Sequence, residues 1–205
     1  DRDDENADAH YLGAMVHLVF CAQDETSTDC RFDDAERYIR AALQVDPEMR
    51  DAKNALGVIL VHQKRPREAV AVLEPLSRDI LYRSPEKAWG NLGWAYLETN
   101  RTDEAIAALK RAVAAQPLFC VGHYRLGLAY EKKREYAAAQ QALTRAVTIQ
   151  EGGCDRLQAA YWARARVLGK LGRTAELRKD LKRCRELTTE SEEGRACARR
   201  LGQLH

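Results

Sequence analysis

The chain has 205 residues, with 33 Lys and Arg against 31 Asp and Glu; this nearly neutral charge, spread evenly and without a basic block, argues against a nucleic-acid-binding surface. No apolar run approaches the roughly 18 residues that a membrane span needs. The opening Asp1-Arg2-Asp3-Asp4-Glu5 has no signal peptide before it and reads as a trimmed or mature start; five isolated prolines leave room for long helices, so a soluble all-α chain is expected.

In chain order, Leu-Gly recurs at Leu12-Gly13, Leu56-Gly57, Leu92-Gly93 and Leu126-Gly127, and three residues after each glycine stands Val16, Leu60, Tyr96 or Tyr130. Twelve residues after the last three glycines come Ala69, Ala105 and Ala139. Four and seven beyond these lie Leu73 and Leu76, Leu109 and Ala112, Leu143 and Ala146. A first repeat, about 6–49, carries Ala35, Ile39, Ala42 and Pro47 in its second half, after ten extra residues. A second covers about 50–85. The alanines at 35, 69, 105 and 139 are 34, 36 and 34 apart, so the second repeat holds two extra residues within Arg78-Asp79-Ile80-Leu81-Tyr82-Arg83. Ser84 is then expected to cap a helix whose first residue is Pro85. This opens a third repeat, about 86–119, with Trp89, Leu92, Gly93, Tyr96, Ala105, Leu109, Ala112 and Pro117 in place. A fourth covers about 120–153. A fifth, about 158–190, is built on Tyr161, Leu168, Gly172, Leu177 and Leu181, and starts late after Glu151-Gly152-Gly153. An Arg-rich helix, about 193–204, is expected to cap the stack, because an end repeat must turn a polar face to water.

This period and these offsets resemble the tetratricopeptide repeat (TPR), well in four repeats and weakly in the fifth. The resemblance implies one domain over 1–205: an all-α superhelical solenoid of antiparallel helix hairpins with a C-terminal capping helix. Glycine at the eighth repeat position would let the two helices of a hairpin approach closely, with alanine at the twentieth acting from the other side. Tyrosine and leucine at i, i+4 spacing would fill the seam between hairpins.

Six cysteines stand at Cys21, Cys30, Cys120, Cys154, Cys184 and Cys197. They could be buried small hydrophobes, metal ligands or disulfides. No Cys-x-x-Cys or Cys/His cluster appears, so zinc is not expected. Placement favours disulfides. Cys21 and Cys30 bracket the insertion Ala22 to Asp29; Cys154 follows Cys120 by 34 residues into the lengthened start of the next repeat; Cys184 and Cys197 flank Thr188-Thr189-Glu190-Ser191. Disulfides imply an oxidising compartment.

No chemistry is expected. His10, His17, His62, His123 and His205 form no metal motif, and there is neither a phosphate-binding glycine loop nor a nucleophile elbow. Cys120 and His123 could pair as thiolate and imidazole, but His123 occupies an ordinary repeat position. We expect no enzyme activity, metal or cofactor.

In TPR stacks the first helix of each hairpin lines a concave groove, so the resemblance implies a site for a protein segment. On this register the groove offers His10, Ala14 and His17; Asn54, Val58 and Val61; Lys87, Asn91, Trp94 and Leu97; Val121, Tyr124, Arg125 and Leu128; Trp162 and Arg166. A strip this apolar suits an amphipathic helix or an extended hydrophobic segment, although Trp94 and Trp162 could instead pack between repeats. Chaperone-docking TPR domains grip a C-terminal carboxylate through two lysines, two asparagines and an arginine. The matching positions here are Asn54, Val58, Asn91, Val121 and Arg125, and without the lysines that clamp is not expected.

Asn54-Ala-Leu-Gly57, the run from Leu76 to Ala88 and Asn91-Leu-Gly93 resemble a narrower group, the type IV pilus biogenesis lipoproteins of the PilF/PilW/Tgl kind. That group carries an elongated loop with an Asp-x-Leu-Tyr-Pro-like stretch before a Pro-Glu-Lys helix start, and the cysteine set looks most like the Tgl branch. The resemblance implies a pilotin: a monomeric outer-membrane lipoprotein on the periplasmic face, binding secretin subunits and promoting their multimerisation for pilus-driven motility. The family's lipidated cysteine is not matched by Cys21, which ends a predicted helix, so a lipid anchor would lie outside this chain. The alternative is a general TPR adaptor or co-chaperone that binds a helical or extended peptide of another partner.

Overall fold

The computed structural model describes residues 6–23 and 28–204; the opening five residues, residues 24–27 of the Cys21–Cys30 insertion and His205 lie outside the described residues. Those described are helical, with no strand among them. They form two compact halves, one ending at Arg101 and one starting at Thr102.

The first half contains α1 (Ala7–Gln23), α2 (Phe32–Val45), α3 (Arg50–His62), α4 (Pro66–Ser77) and α5 (Pro85–Glu98). Antiparallel pairs α1/α2 and α3/α4 pack in turn, and α5 lies against both α3 and α4. The core is the repeat's own alanines and leucines: Ala35, Ile39, Ala69 and Leu73 are fully buried. The close approach expected at the repeat glycine is present, but its partner is the leucine four residues beyond the repeat alanine. A Cβ on Gly57 would stand 2.5 Å from Leu73 Cδ2. Because Leu73 has no solvent to retreat into, only glycine fits.

The second half contains α6 (Thr102–Ala115), α7 (Cys120–Lys132), α8 (Tyr136–Thr148), α9 (Gln158–Lys170), α10 (Thr174–Leu187) and α11 (Glu192–Gly202). Here Gly127 meets Leu143 as Gly57 meets Leu73, with a Cβ 2.7 Å from Leu143 Cδ2. Between α8 and α9 the chain turns through Glu151–Arg156, where Gly152 and Gly153 take φ of 64° and 75°, a backbone that side chains disfavour. Arg164 on α9 donates from Nε and Nη2 to Asp180 on α10, at 2.7 and 2.6 Å. Asp180 is only 2% exposed, so this bidentate pair keeps a buried carboxylate satisfied.

Four first helices end alike. Lys64, Asn100, Arg134 and Gly172 are left-handed, with φ between 61° and 72°. The next residue then donates its N–H to a carbonyl five residues back: Arg65 to Leu60, Arg101 to Tyr96, Glu135 to Tyr130 and Arg173 to Leu168. This is the Schellman closure, and it satisfies carbonyls that a helix end would leave open.

One expected cap differs. Ser84 holds the N-cap position of α5, but its side chain makes no cap hydrogen bond. Its ψ of 60° departs from the extended value that aims a serine hydroxyl at the first turn. The Ser84 carbonyl instead accepts from the N–H groups of Lys87 and Ala88. Ser191 does cap its helix, accepting from Gly194 N at 3.0 Å while its hydroxyl donates to Gln158 Oε1. Gln158 Nε2 also donates to the carbonyls of Cys184 and Thr188, so one glutamine at the start of α9 ties down the end of α10 and the cap of α11.

Disulfides join Cys21 to Cys30, Cys120 to Cys154 and Cys184 to Cys197, with Cα–Cα distances of 4.3, 5.8 and 6.2 Å. Each spans an irregularity of the repeat: the first insertion, the Gly152-Gly153 turn and the α10–α11 junction.

Gly57→Ala and Gly127→Ala should each lower stability by about 1–3 kcal/mol through overpacking, read from denaturant unfolding. Gly202→Ala, with nothing near its Cβ, should not. In mass spectrometry of unreduced, alkylated protein all six cysteines should escape alkylation, and loss of each link should cost roughly 2–4 kcal/mol.

Candidate partner-binding surface

In the first half, α3 and α5 bring Asn54 and Asn91 together, Asn91 Nδ2 donating to Asn54 Oδ1 at 3.0 Å. Val58 and Trp94 are half-buried beside them. Phe32 stacks on His62 with centroids 4.7 Å apart, and His62 meets Trp94 edge-on at 4.9 Å. Trp94 thus ends an aromatic row running from the start of α2 to the middle of α5. Asn91, Val61 and Leu97 are buried, Val61 almost completely, which withdraws them from any surface a partner can reach. Their repeat positions had placed them on the groove, but helix neighbours close over them. Ala14 is also buried, Lys87 is exposed, and His10 and His17 sit beside the Tyr38 ring.

In the second half, α7 and α9 carry Val121, Tyr124, Arg125, Leu128, Trp162 and Arg166, all half-buried. Tyr124 and Trp162 pack on the core formed by Tyr161, Leu168, Leu181 and Cys184. Burial raises the Tyr124 hydroxyl above its ordinary range and draws the Arg125 guanidinium down to about 10, leaving it charged at neutral pH. Arg166 donates from Nε and Nη2 to Glu131 at 3.0 and 2.6 Å. Cys120 lies in its disulfide, while His123 Nε2 is 3.0 Å from the Pro117 carbonyl, so the two side chains are engaged apart from each other.

Sequence reasoning missed a different surface. Leu12, Val16, Val19 and Phe20, spaced i, i+4, i+7, i+8 on α1, are 45–63% exposed. The repeat template had assigned Val16 to a seam, yet among the described residues only α2 packs on α1 to any extent, and it takes the opposite face. Among the described residues, α1 therefore has one face covered and an apolar stripe left exposed.

The loop after α4 is a second surface feature. Arg50 Nε donates to Asp79 at 2.6 Å, and Asp79 accepts from Leu81 N at 2.8 Å. Buried Tyr82 donates its hydroxyl to Asp51 at 3.3 Å. These bonds fix the base of the loop while Ile80, at its tip, is 94% exposed. Burial and the nearby Asp51 carboxylate raise the Tyr82 hydroxyl well above the tyrosine range. A raised folded pKa means stability is complete below the unfolded value of about 10 and lost as pH rises beyond it. Alkaline unfolding should therefore be shallower in Tyr82→Phe than in the wild type above about pH 10, measured as denaturant midpoints from pH 8 to 12.

No helix among the described residues is long and apolar enough to cross a membrane. Tetratricopeptide repeat models match residues 31–76, 86–117 and 122–152, together more than half the chain. No curated protein matches the sequence significantly. Among solved structures, that of PilW, titled a widely conserved type IV pilus biogenesis factor, superposes with a TM-score of 0.77 at 21% identity, over 96% of this chain and 84% of PilW. PilF of Pseudomonas aeruginosa gives 0.70 at 21% identity, over 97% and 83%. MamA gives 0.62 at 26% identity, over 84% and 95%. At such identities the pilus proteins share a fold with this chain. With its helix pairs, its glycine–leucine contacts and these matched repeats, the chain belongs to the tetratricopeptide-repeat superfamily.

Proposed function

We propose that this chain is a non-catalytic assembly factor of the pilotin kind, binding secretin subunits and promoting their multimerisation in the outer membrane for type IV pilus biogenesis and motility. The observation that carries this reading is the apolar stripe on α1, whose Leu12, Val16, Val19 and Phe20 are 45–63% exposed. A bare apolar stripe on a TPR scaffold is a surface for another protein. The likeness of fold to PilW and PilF supports the choice of pilus assembly, and the Asp79–Tyr82 loop with the cysteine set supports the Tgl branch. Three disulfides suit an oxidising compartment, which supports the periplasmic face of the outer membrane, with any lipid anchor outside this chain. The half-buried Trp94 in the first half, and Leu128 and Trp162 in the second, then serve as secondary contacts.

In cells lacking the wild-type gene, complementation with Leu12→Glu/Val16→Glu should cut detergent-resistant secretin multimers at least tenfold. Helicity and thermal stability should stay at wild-type values, because both side chains are exposed. Normal multimer levels in that strain would count against binding through α1.

A further inference from the structure

The loop between α4 and α5 holds two aliphatic side chains in water: Ile80 is 94% exposed and Leu81 67%. Leaving them there forgoes hydrophobic burial, yet the loop is built to hold them out. Arg50 and the Leu81 N–H fix Asp79 on one side, and the Tyr82 hydroxyl bonds Asp51 on the other. The tip is therefore a preformed knob, and a partner that takes it has little loop ordering to supply. Exposed arginines, Arg78 and Arg83, flank it in sequence. Arg78 is paired with Glu74, whereas Arg83 is in no ion pair among the described residues.

The same half carries a hole. An open cavity of about 520 Å³ lies between the end of α2, the start of α3 and the end of α4. Leu56 and Leu76 form its buried floor. Its reachable lip is Leu43 and Val72, half-buried, with Pro47 and Pro75, exposed. Glu48 and Asp79 in its wall are already matched, by Lys53 at 3.3 Å and by Arg50 at 2.6 Å. The cavity therefore suits an uncharged apolar group. Free charge stands just outside it, where Asp46, exposed and next to Pro47, is in no ion pair among the described residues. None of the residues that line the hole belongs to the groove register or to the α1 stripe.

The knob does not fill its own chain's hole, because Ile80 stands almost wholly in solvent. It lies beside that hole. Asp79 lines the hole and precedes Ile80, and Glu48 borders both the hole and a shallower cleft that reaches Leu81 and Arg83. A knob and a matching hole side by side on one surface suit a closed two-fold contact, in which each copy gives its knob and receives the other's. The free charges agree. Arg83 beside the knob is cationic and Asp46 beside the hole is anionic, so a second copy brings opposite signs together.

We propose that two copies of this chain associate through a reciprocal contact, the Ile80–Leu81 knob of each seated between Leu43, Val72 and Pro75 of the other. The contact goes beyond the partner-binding reading and replaces the monomer that the resemblance implies with a monomer–dimer equilibrium. Four aliphatic side chains make a core smaller than that of a standard interface of roughly 1,600 Å². The dimer is accordingly weak and forms as concentration rises.

The test is sedimentation equilibrium of the full chain over about 5–500 µM, a span that brackets the affinity of so small a contact. The average mass should rise from 23.2 kDa toward twice that value. Ile80→Ser/Leu81→Ser should weaken association at least tenfold, with helicity and thermal stability at wild-type values because both side chains are exposed. Val72→Trp, which fills the hole from inside, should do the same. An equimolar mixture of the two variants should recover part of the association, since one keeps the hole and the other the knob. A wild-type mass that stays at one chain throughout overturns the proposal, as does dimerisation that the knob variant leaves unchanged. Failure of two folded variants to recover association on mixing overturns it too. Dimerisation lost in Leu12→Glu/Val16→Glu but kept in the knob variant also overturns it, assigning the contact to the α1 stripe. Because secretin multimers report on α1 and sedimentation reports on this contact, either reading can fail alone.

Discussion

The structure depends on how near the two helices of a hairpin can come. Gly57 against Leu73, and Gly127 against Leu143, let a leucine side chain lie directly on backbone, with no room for even a methyl group. That contact lets these two hairpins bury their repeat alanines, Ala69 and Ala139, fully. Because each leucine is itself fully buried, the spacing is fixed by hard repulsion on one side and dispersion on the other. The Schellman closures at Lys64, Asn100, Arg134 and Gly172 then satisfy the carbonyls at the end of each of these helices. Three of the four place a residue with a Cβ in the left-handed region, where packing of the hairpin outweighs a local backbone preference.

This part of the fold was legible in the sequence because glycine, alanine and leucine at fixed offsets are themselves the contact points. The template named the positions without the contact itself: the glycine faces the leucine one turn past the repeat alanine. The Ser84 cap was inferred from residue type, but its backbone dihedral sets where the hydroxyl points, and the sequence does not encode that directly.

The binding surface was less legible. Repeat positions assign residues to a face of one helix, whereas exposure depends on the helices that close over it. Val61, Asn91 and Leu97 share the groove register with Val58 and Trp94, yet neighbours cover the first three and leave the others half-exposed. Leu12 and Val16 mislead the opposite way, matching the repeat pattern where no described helix fills the seam. Leu43 and Val72 lie on separate helices, and neither belongs to a motif, so only the folded chain places them round one cavity.

The positions of the three disulfides also bear on how this chain answers a pull. A stack of hairpins under tension yields one hairpin at a time. The link from Cys120 to Cys154 encloses all of α7 and α8. When force unravels the second half, those residues stay in a closed loop and add almost nothing to its extension. At about 3.5 Å for each of some 33 enclosed residues, roughly 115 Å of slack is held back. The other two links enclose short stretches and withhold far less. The fourth hairpin is thereby excluded from stretching, a mechanical stop placed where the repeat is least regular.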